Sequence, residues 1–262
     1  MDLELEQKVC LIAGSSSGLG KAVAIEMAKE GADVIICARN QENLSLVAEE
    51  IQQIGRKVLA VPTDLTQYLQ VKNLVEKGIE TFGKIDILIT NCGGPPSGNF
   101  LDFSVDEWRY AINLNLMSTI YLCKEVIPQM LERETGRIIM ITSVSVKQPI
   151  PGLILSNVAR AGVVGLAKSL SNEYGKNNIL VNVVCPGYTR TERVSELAET
   201  VSMKRGVRPE EIIKEWENQN ALGRIATPEE FAYVVTFLAS GKASHITGVS
   251  IQIDGGYVKS LF

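Results

Sequence analysis

The chain has 262 residues, 45% of them hydrophobic and 21% charged, with a mean hydropathy of +0.11, which excludes a disordered chain and allows one large α/β domain or two small ones. A formal net charge of −4 without a concentrated basic segment argues against nucleic acid as the main partner and for a small molecule. The five cysteines lie mostly in apolar runs with no CxxC spacing, so buried free thiols are expected and no metal centre.

From the N-terminus, MDLELEQK is acidic and lacks a signal-peptide core, and no apolar run approaches the roughly 18 residues of a membrane span. A cytoplasmic protein with no membrane partner is the expectation. Short apolar, β-branched runs then recur: KVCLIAG, ADVIICA, KVLAVPT, KIDILIT, RIIMITS, ILVNVVC and VSIQID. Each reads as a strand buried on both faces. Helical patterns fall between them at 18–29, 41–54, 69–82, 106–131 and 153–174. This alternation predicts a mostly parallel sheet with helices on both sides, and the absence of linkers or repeats predicts a single domain over 1–262.

The first strand runs into AGSSSGLG, where Gly14, Gly18 and Gly20 permit a tight turn, close backbone approach to a pyrophosphate and close packing of helix on strand. Its place in the first βα unit is the context that a dinucleotide-binding turn requires. At the end of the second strand, CARN puts Ala38 where an acidic residue would bond the adenosine ribose, followed by Arg39. A guanidinium without a neighbouring carboxylate suits a 2′-phosphate, which favours NADP, with NAD as the alternative. Further on, the charged stretch 192–220 exceeds an ordinary connection and is expected to form a substrate lid at about 190–222, the alternative being a solvated surface excursion.

Taken together, these motifs resemble the short-chain dehydrogenase/reductases over nearly the whole chain. AGSSSGLG is similar to the family's TGxxxGxG loop, TDLT supplies Asp64 and Leu65, NCGG supplies Asn91 and Gly93, NLNL supplies Asn115, MITSVS supplies Ser143, and CPGYTRT supplies Pro186, Gly187, Thr189 and Thr191. The resemblance implies a Rossmann-like, doubly wound, seven-stranded sheet in a dimer or tetramer. It implies cofactor contacts from Ser16, Ser17 and Leu19 along with the loop glycines, an adenine pocket at Asp64 and Leu65, and further contacts at Asn91 and Gly93. It also implies a nicotinamide site along 186–191, with Asn115 and Ser143 in the active site.

In that family the serine is followed, about a dozen residues later, by YxxxK at the start of a helix. Here the register set by Ser143 and by Ala161-Gly162 lands on SNVAR, with Ser156 for the tyrosine and Arg160 for the lysine. The literal YxxxK at 68–72 opens the helix after the third strand, beside the adenine half of the expected cofactor site, and is set aside as chance. A tyrosine of ordinary pKa about 10 can be drawn down by a neighbouring cation, whereas a serine hydroxyl can bond a substrate oxygen but is a poor proton source. Arg160 keeps the positive charge and can bond the nicotinamide ribose, although it cannot give up its proton. Standing at i and i+4, the two share a helix face.

Tyr188 and Lys147 are further candidates for the missing acid, while His245 reads as a structural residue. Segments 94–100, 144–153 and 188–220 are expected to wall an apolar pocket containing Phe100, Ile150, Leu197, Met203 and Trp216. Three functions compete: an atypical NADP-dependent oxidoreductase acting on an apolar carbonyl or alcohol, a catalytically impaired dinucleotide-binding protein serving as sensor or assembly partner, and a lyase or isomerase without net redox.

Overall fold

A computed structural model describes residues 1–261. Among these residues the strands are β1 (Val9–Ala13), β2 (Asp33–Ala38), β3 (Val58–Pro62), β4 (Ile87–Thr90), β5 (Gly136–Ile141), β6 (Ile179–Pro186) and β7 (Ser250–Ile253). They form one 7-stranded sheet in the order β3-β2-β1-β4-β5-β6-β7, parallel at every pairing. The helices, in chain order, are α1 (Gly18–Lys29), α2 (Gln41–Gln53), α3 (Tyr68–Phe82), α4 (Val105–Ile112), α5 (Ser118–Glu132), α6 (Ile154–Tyr174), α7 (Glu192–Arg205), α8 (Pro209–Gln219) and α9 (Pro228–Ala239). The expected Rossmann-like α/β architecture is the one observed.

The apolar runs form central strands because both faces are covered. Successive side chains of a strand point to opposite faces, so Leu11 and Ala13 of β1 enter a core built with α3, α5 and α6, while Cys10 and Ile12 enter another built with α1, α2 and α9. The cysteines follow the same rule: Cys10, Cys37, Cys123 and Cys185 are free and buried, and Cys92 alone is half-buried among the described residues. The strand order reverses direction at β1 and β4, so the loops leaving their carboxyl ends part there and open a crevice.

Two elements differ from the sequence pattern. The expected helix at 106–131 is broken by a π-helical turn, Asn113–Met117, between α4 and α5, where the Ser118 hydroxyl donates back to the Leu114 carbonyl at 2.5 Å. Neither glycine nor proline marks this turn in the sequence; it places Asn115 under the end of β4. The insertion at 192–220 folds as α7 and α8 around a small core of Ala198, Ile212 and Trp216, with Tyr188 and Leu197 packed against it.

Candidate active site

The cofactor end is built by the turn after β1. Gly14 and Gly18 have φ of +60° and +55°, a region that side chains rarely adopt. A Cβ on Gly20 would lie 2.1 Å from the Gly14 carbonyl oxygen, and one on Gly14 would lie 2.8 Å from Asn91 Nδ2. Asn91 holds the turn by donating from Nδ2 to that same carbonyl at 3.1 Å. Ser15, fully buried, locks the turn to both strands: its hydroxyl donates to Ile12 O at 2.9 Å and accepts from the Cys37 amide at 3.0 Å. Ser17 stands at the N-cap of α1 without a side-chain cap bond, so the first amides of that helix are open to an anion. Thr191 lies across the turn, 3.5 Å from where a Gly18 Cβ would be. The turn, Asn91 and Thr191 thus converge, and a pyrophosphate fits this cradle.

Arg39 is exposed just past β2 and has no hydrogen-bond or ion-pair partner among the described residues. Asp64 is more committed than expected. Its carboxylate accepts from the Thr66 amide at 2.9 Å and from the Thr66 hydroxyl at 2.8 Å, and its amide donates to Gln70, so the side chain closes its own turn. Leu65 is buried in the core, and a Cβ on Gly93 would meet nothing, leaving open space beside Asn91.

The chemical end lies past β5 and β6. Asn115, 2% exposed, donates from Nδ2 to Cys92 Sγ at 2.8 Å and to Gly93 O at 3.0 Å, and its Oδ1 is buried without a partner. The Ser143 hydroxyl oxygen accepts from the Ser145 amide at 3.1 Å. Ser156 and Arg160 share the first turns of α6: Arg160 Nε donates to Ser156 Oγ at 3.1 Å, and Nη1 donates to the Thr142 and Ile141 carbonyls at 3.1 and 3.4 Å. The guanidinium therefore grips the end of β5, a contact that the expected ribose role does not include. Beyond Pro186, the Gly187 amide donates to Ile253 O at 2.9 Å; Thr189 is buried, and Thr191 caps α7 through the Val194 amide.

The family model described as Enoyl-(Acyl carrier protein) reductase matches residues 13–258. The chain is 35% identical over 254 residues to the oxidoreductase UcpA of Salmonella typhimurium, covering 97% of this chain and 95% of the relative. It is 35% identical over 256 residues to the 3-oxoacyl-[acyl-carrier-protein] reductase FabG of Thermotoga maritima, covering 98% and 100%. These matches span whole chains. The chain belongs to the short-chain dehydrogenase/reductase family. Among solved structures, the L-sorbose reductase of Gluconobacter frateurii, complexed with NADPH and L-sorbose, superposes on this family member with a TM-score of 0.95 at 31% identity, covering 100% of both chains.

For this short-chain dehydrogenase/reductase, the structure separates the other acid candidates. Tyr188 stacks flat on Trp216 (4.2 Å between ring centres, 4° between planes) and meets Tyr257 edge-on at 5.7 Å. Burial, with the facing Tyr257, pushes its phenol well above the ordinary tyrosine range, so it is a weak acid packed against the small core of α7 and α8. Lys147 ends the short helical turn after Ser143, and His245 is exposed ahead of β7. Phe100 and Met203 are exposed, at 62% and 82%, whereas Leu197 packs against the small core of Ala198, Ile212 and Trp216. A cavity of about 670 Å³ runs along α7 and α8 between Arg190, Val194, Glu199 and Ile213, and another of about 450 Å³ borders Ser16, Ser17, Gly18 and Thr191. No helix among the described residues is long and apolar enough to cross a membrane, and no group of side chains among them could hold a metal ion.

Two residues escaped the sequence reading. Ser15 is indistinguishable in the string from Ser16 and Ser17. Arg193, at the start of α7, donates from Nη2 to Pro95 O at 3.0 Å and so ties α7 to the loop after β4; no sequence signal separates it from the other cations of the 192–220 stretch.

Proposed function

We propose that the protein is an atypical NADP(H)-dependent reductase or dehydrogenase in which Ser143 and Ser156 bond the substrate oxygen, Arg160 aligns the pair, Asn115 supports the floor, and water handles the proton. The observation that supports this reading is the Arg160–Ser156 bond at 3.1 Å, which with the Arg160 bond to the Thr142 carbonyl holds the two as one oriented unit at the end of β5. The open glycine cradle and the unpaired Arg39 fit the pyrophosphate and 2′-phosphate of NADP, and solved relatives such as the L-sorbose reductase are complexes with NADPH. When bound, the reduced nicotinamide supplies the hydride. Residues 1–262 act as one cofactor-binding domain with α7 and α8 as the lid over the substrate, which we take to be an apolar carbonyl or alcohol. A cytoplasmic homo-oligomer is part of the same reading.

The second reading, a catalytically impaired nucleotide-binding protein, draws on the lack of a phenol or an amine at positions 156 and 160. NADPH absorbance against a panel of ketones, aldehydes and alcohols separates the two. Turnover is the expected result; micromolar NADPH binding with no turnover across the panel favours the second reading. Under that outcome, Ser156→Tyr with Arg160→Lys should install activity if the pair is the sole chemical defect.

A further inference from the structure

Two cations beside the candidate site lack a counter-charge. Arg160 is 8% exposed, and its partners are all neutral oxygens: Ser156 Oγ and the Ile141 and Thr142 carbonyls. Nε and Nη1 make those bonds, whereas Nη2 has no partner among the described residues and is not sealed from the space outside. Lys147 is half-buried at the end of the helical turn that Ser143 caps, and its ammonium likewise has no hydrogen-bond or ion-pair partner among the described residues. Both cations act on the Cys185 thiol at the end of β6, so the two charges share one neighbourhood. Asp254 is the carboxylate that acts on the same thiol, and its oxygens are taken by the Gly256 and Val258 amides at 2.9 Å each. The local balance is two positive charges against one negative, in a chain whose net charge is −4. A buried cation is ordinarily paired, so this surplus favours one negative charge in the space that Arg160 Nη2 faces. The phosphates of a dinucleotide have their own cradle at the turn after β1 and at Arg39 after β2, whereas Arg160 and Lys147 stand by the ends of β5 and β6.

We infer that the substrate is a carbonyl or alcohol carrying a carboxylate, an oxo acid or its hydroxy acid, with the carboxylate held by Arg160 Nη2 and the Lys147 ammonium. The inference rests on the reductase reading above and narrows its substrate to an apolar skeleton with one acidic group. Ser143 Oγ accepts from the Ser145 amide and Ser156 Oγ accepts from Arg160 Nε, which leaves each hydroxyl with its own O–H for the carbonyl oxygen. In reduction the carbonyl carbon gains hydride as a new C–H bond, the π pair moves to the oxygen, and water supplies the proton, leaving NADP⁺ and hydroxide. A carboxylate suits the site better than a phosphate monoester, because one negative charge balances the surplus and two reverse it.

Binding and turnover test this separately. Benzoate, titrated by calorimetry into the NADP⁺-loaded protein, is expected to bind at least about tenfold more tightly than benzamide or phenylphosphonate. Lys147→Met should erase that preference, with Lys147→Gln covering the case in which the methionine variant fails to fold. Lys147→Arg keeps the charge but cannot donate a proton, so its retained preference separates carboxylate binding from acid catalysis. With NADPH, benzoylformate and 3-benzoylpropionate are compared with their methyl esters; at least one acid is expected to exceed its ester about tenfold in kcat/KM, a ratio that Lys147→Met moves toward one. Equal binding of benzoate and benzamide, or esters turned over as well as both acids, overturns the inference and leaves the reductase reading intact. Tighter binding of phenylphosphonate than of benzoate overturns the carboxylate assignment. Selective benzoate binding with no turnover of any compound supports the carboxylate site and counts against the reductase reading.

Discussion

At the scale of single residues, the site turns on what each donor is already holding. Arg39 holds nothing among the described residues, and its proposed role follows from that: a guanidinium pairs with a 2′-phosphate through two parallel bonds, and a carboxylate at the same place repels it. Arg39→Asp is therefore expected to weaken NADPH at least about tenfold while NADH weakens little or improves, measured by nucleotide fluorescence titration. Unchanged affinities for both would remove Arg39 from the cofactor site. The residue identities of the candidate site are legible in the sequence, Ser156 and Arg160 included. Their bonding is not. A guanidinium at position 160 chooses among the ribose, Ser156 and strand carbonyls only once the end of β5 lies beside it, and Asp64 turns inward to Thr66 for an equally local reason. Ser15 and Ser16 differ only in which way the turn after β1 points them.

At the scale of elements, strands and helices follow from apolar periodicity, because both faces of the sheet are buried and leave few ways to place the runs. The π-helical turn at Asn113–Met117 is invisible to that logic, since an inserted residue shifts the helical phase without requiring any distinctive residue type. The insertion at 192–220 is legible as an excess of charged chain, but its own small core of Ala198, Ile212 and Trp216 is not. Trp216 is 7% exposed and closes the interface of α7 and α8 under Tyr188. Trp216→Ala should thus unfasten α7 and α8, making residues 190–222 rapidly cleavable by trypsin, while the sheet keeps its melting temperature within a few degrees. Substrate KM should rise more than kcat falls. A global loss of stability of about 3–5 kcal/mol, the usual result for a tryptophan truncated in a main core, would show that the lid is part of the main body.

At the scale of the whole molecule, the amino-terminal ends of the central strands, away from the loops of the site, are fastened by charge. Asp86, 5% exposed, accepts from the Val9 amide at 2.9 Å and pairs with Arg133 at 2.5 Å and Lys84 at 2.9 Å, bridging the starts of β1 and β4 to the end of α5. Burial raises its pKa, but the bonds from Arg133, Lys84 and the Val9 amide outweigh it and hold the carboxyl below the usual range. A depressed folded-state pKa contributes stability that is complete above the unfolded value of about 3.9 and lost as the pH falls through the folded value. Acid unfolding should accordingly begin below about pH 4, and Asp86→Asn should lower the melting temperature at pH 7 while flattening that acid limb. An unaltered acid limb would assign the pH dependence to other carboxylates. Salt should weaken the contribution only slightly, because the carboxylate is buried.

The proposed function requires that the site carrying Ser156 and Arg160 transfers hydride. A single-turnover reaction with NADPH deuterated at the transferable C4 position, run against the panel of ketones and aldehydes and read by mass spectrometry, measures it directly. The expected result is deuterium bonded to carbon in at least one organic product, formed in step with NADPH oxidation and lost in Arg160→Met that still binds NADPH. Tight NADPH binding with no deuterium in any product would contradict it.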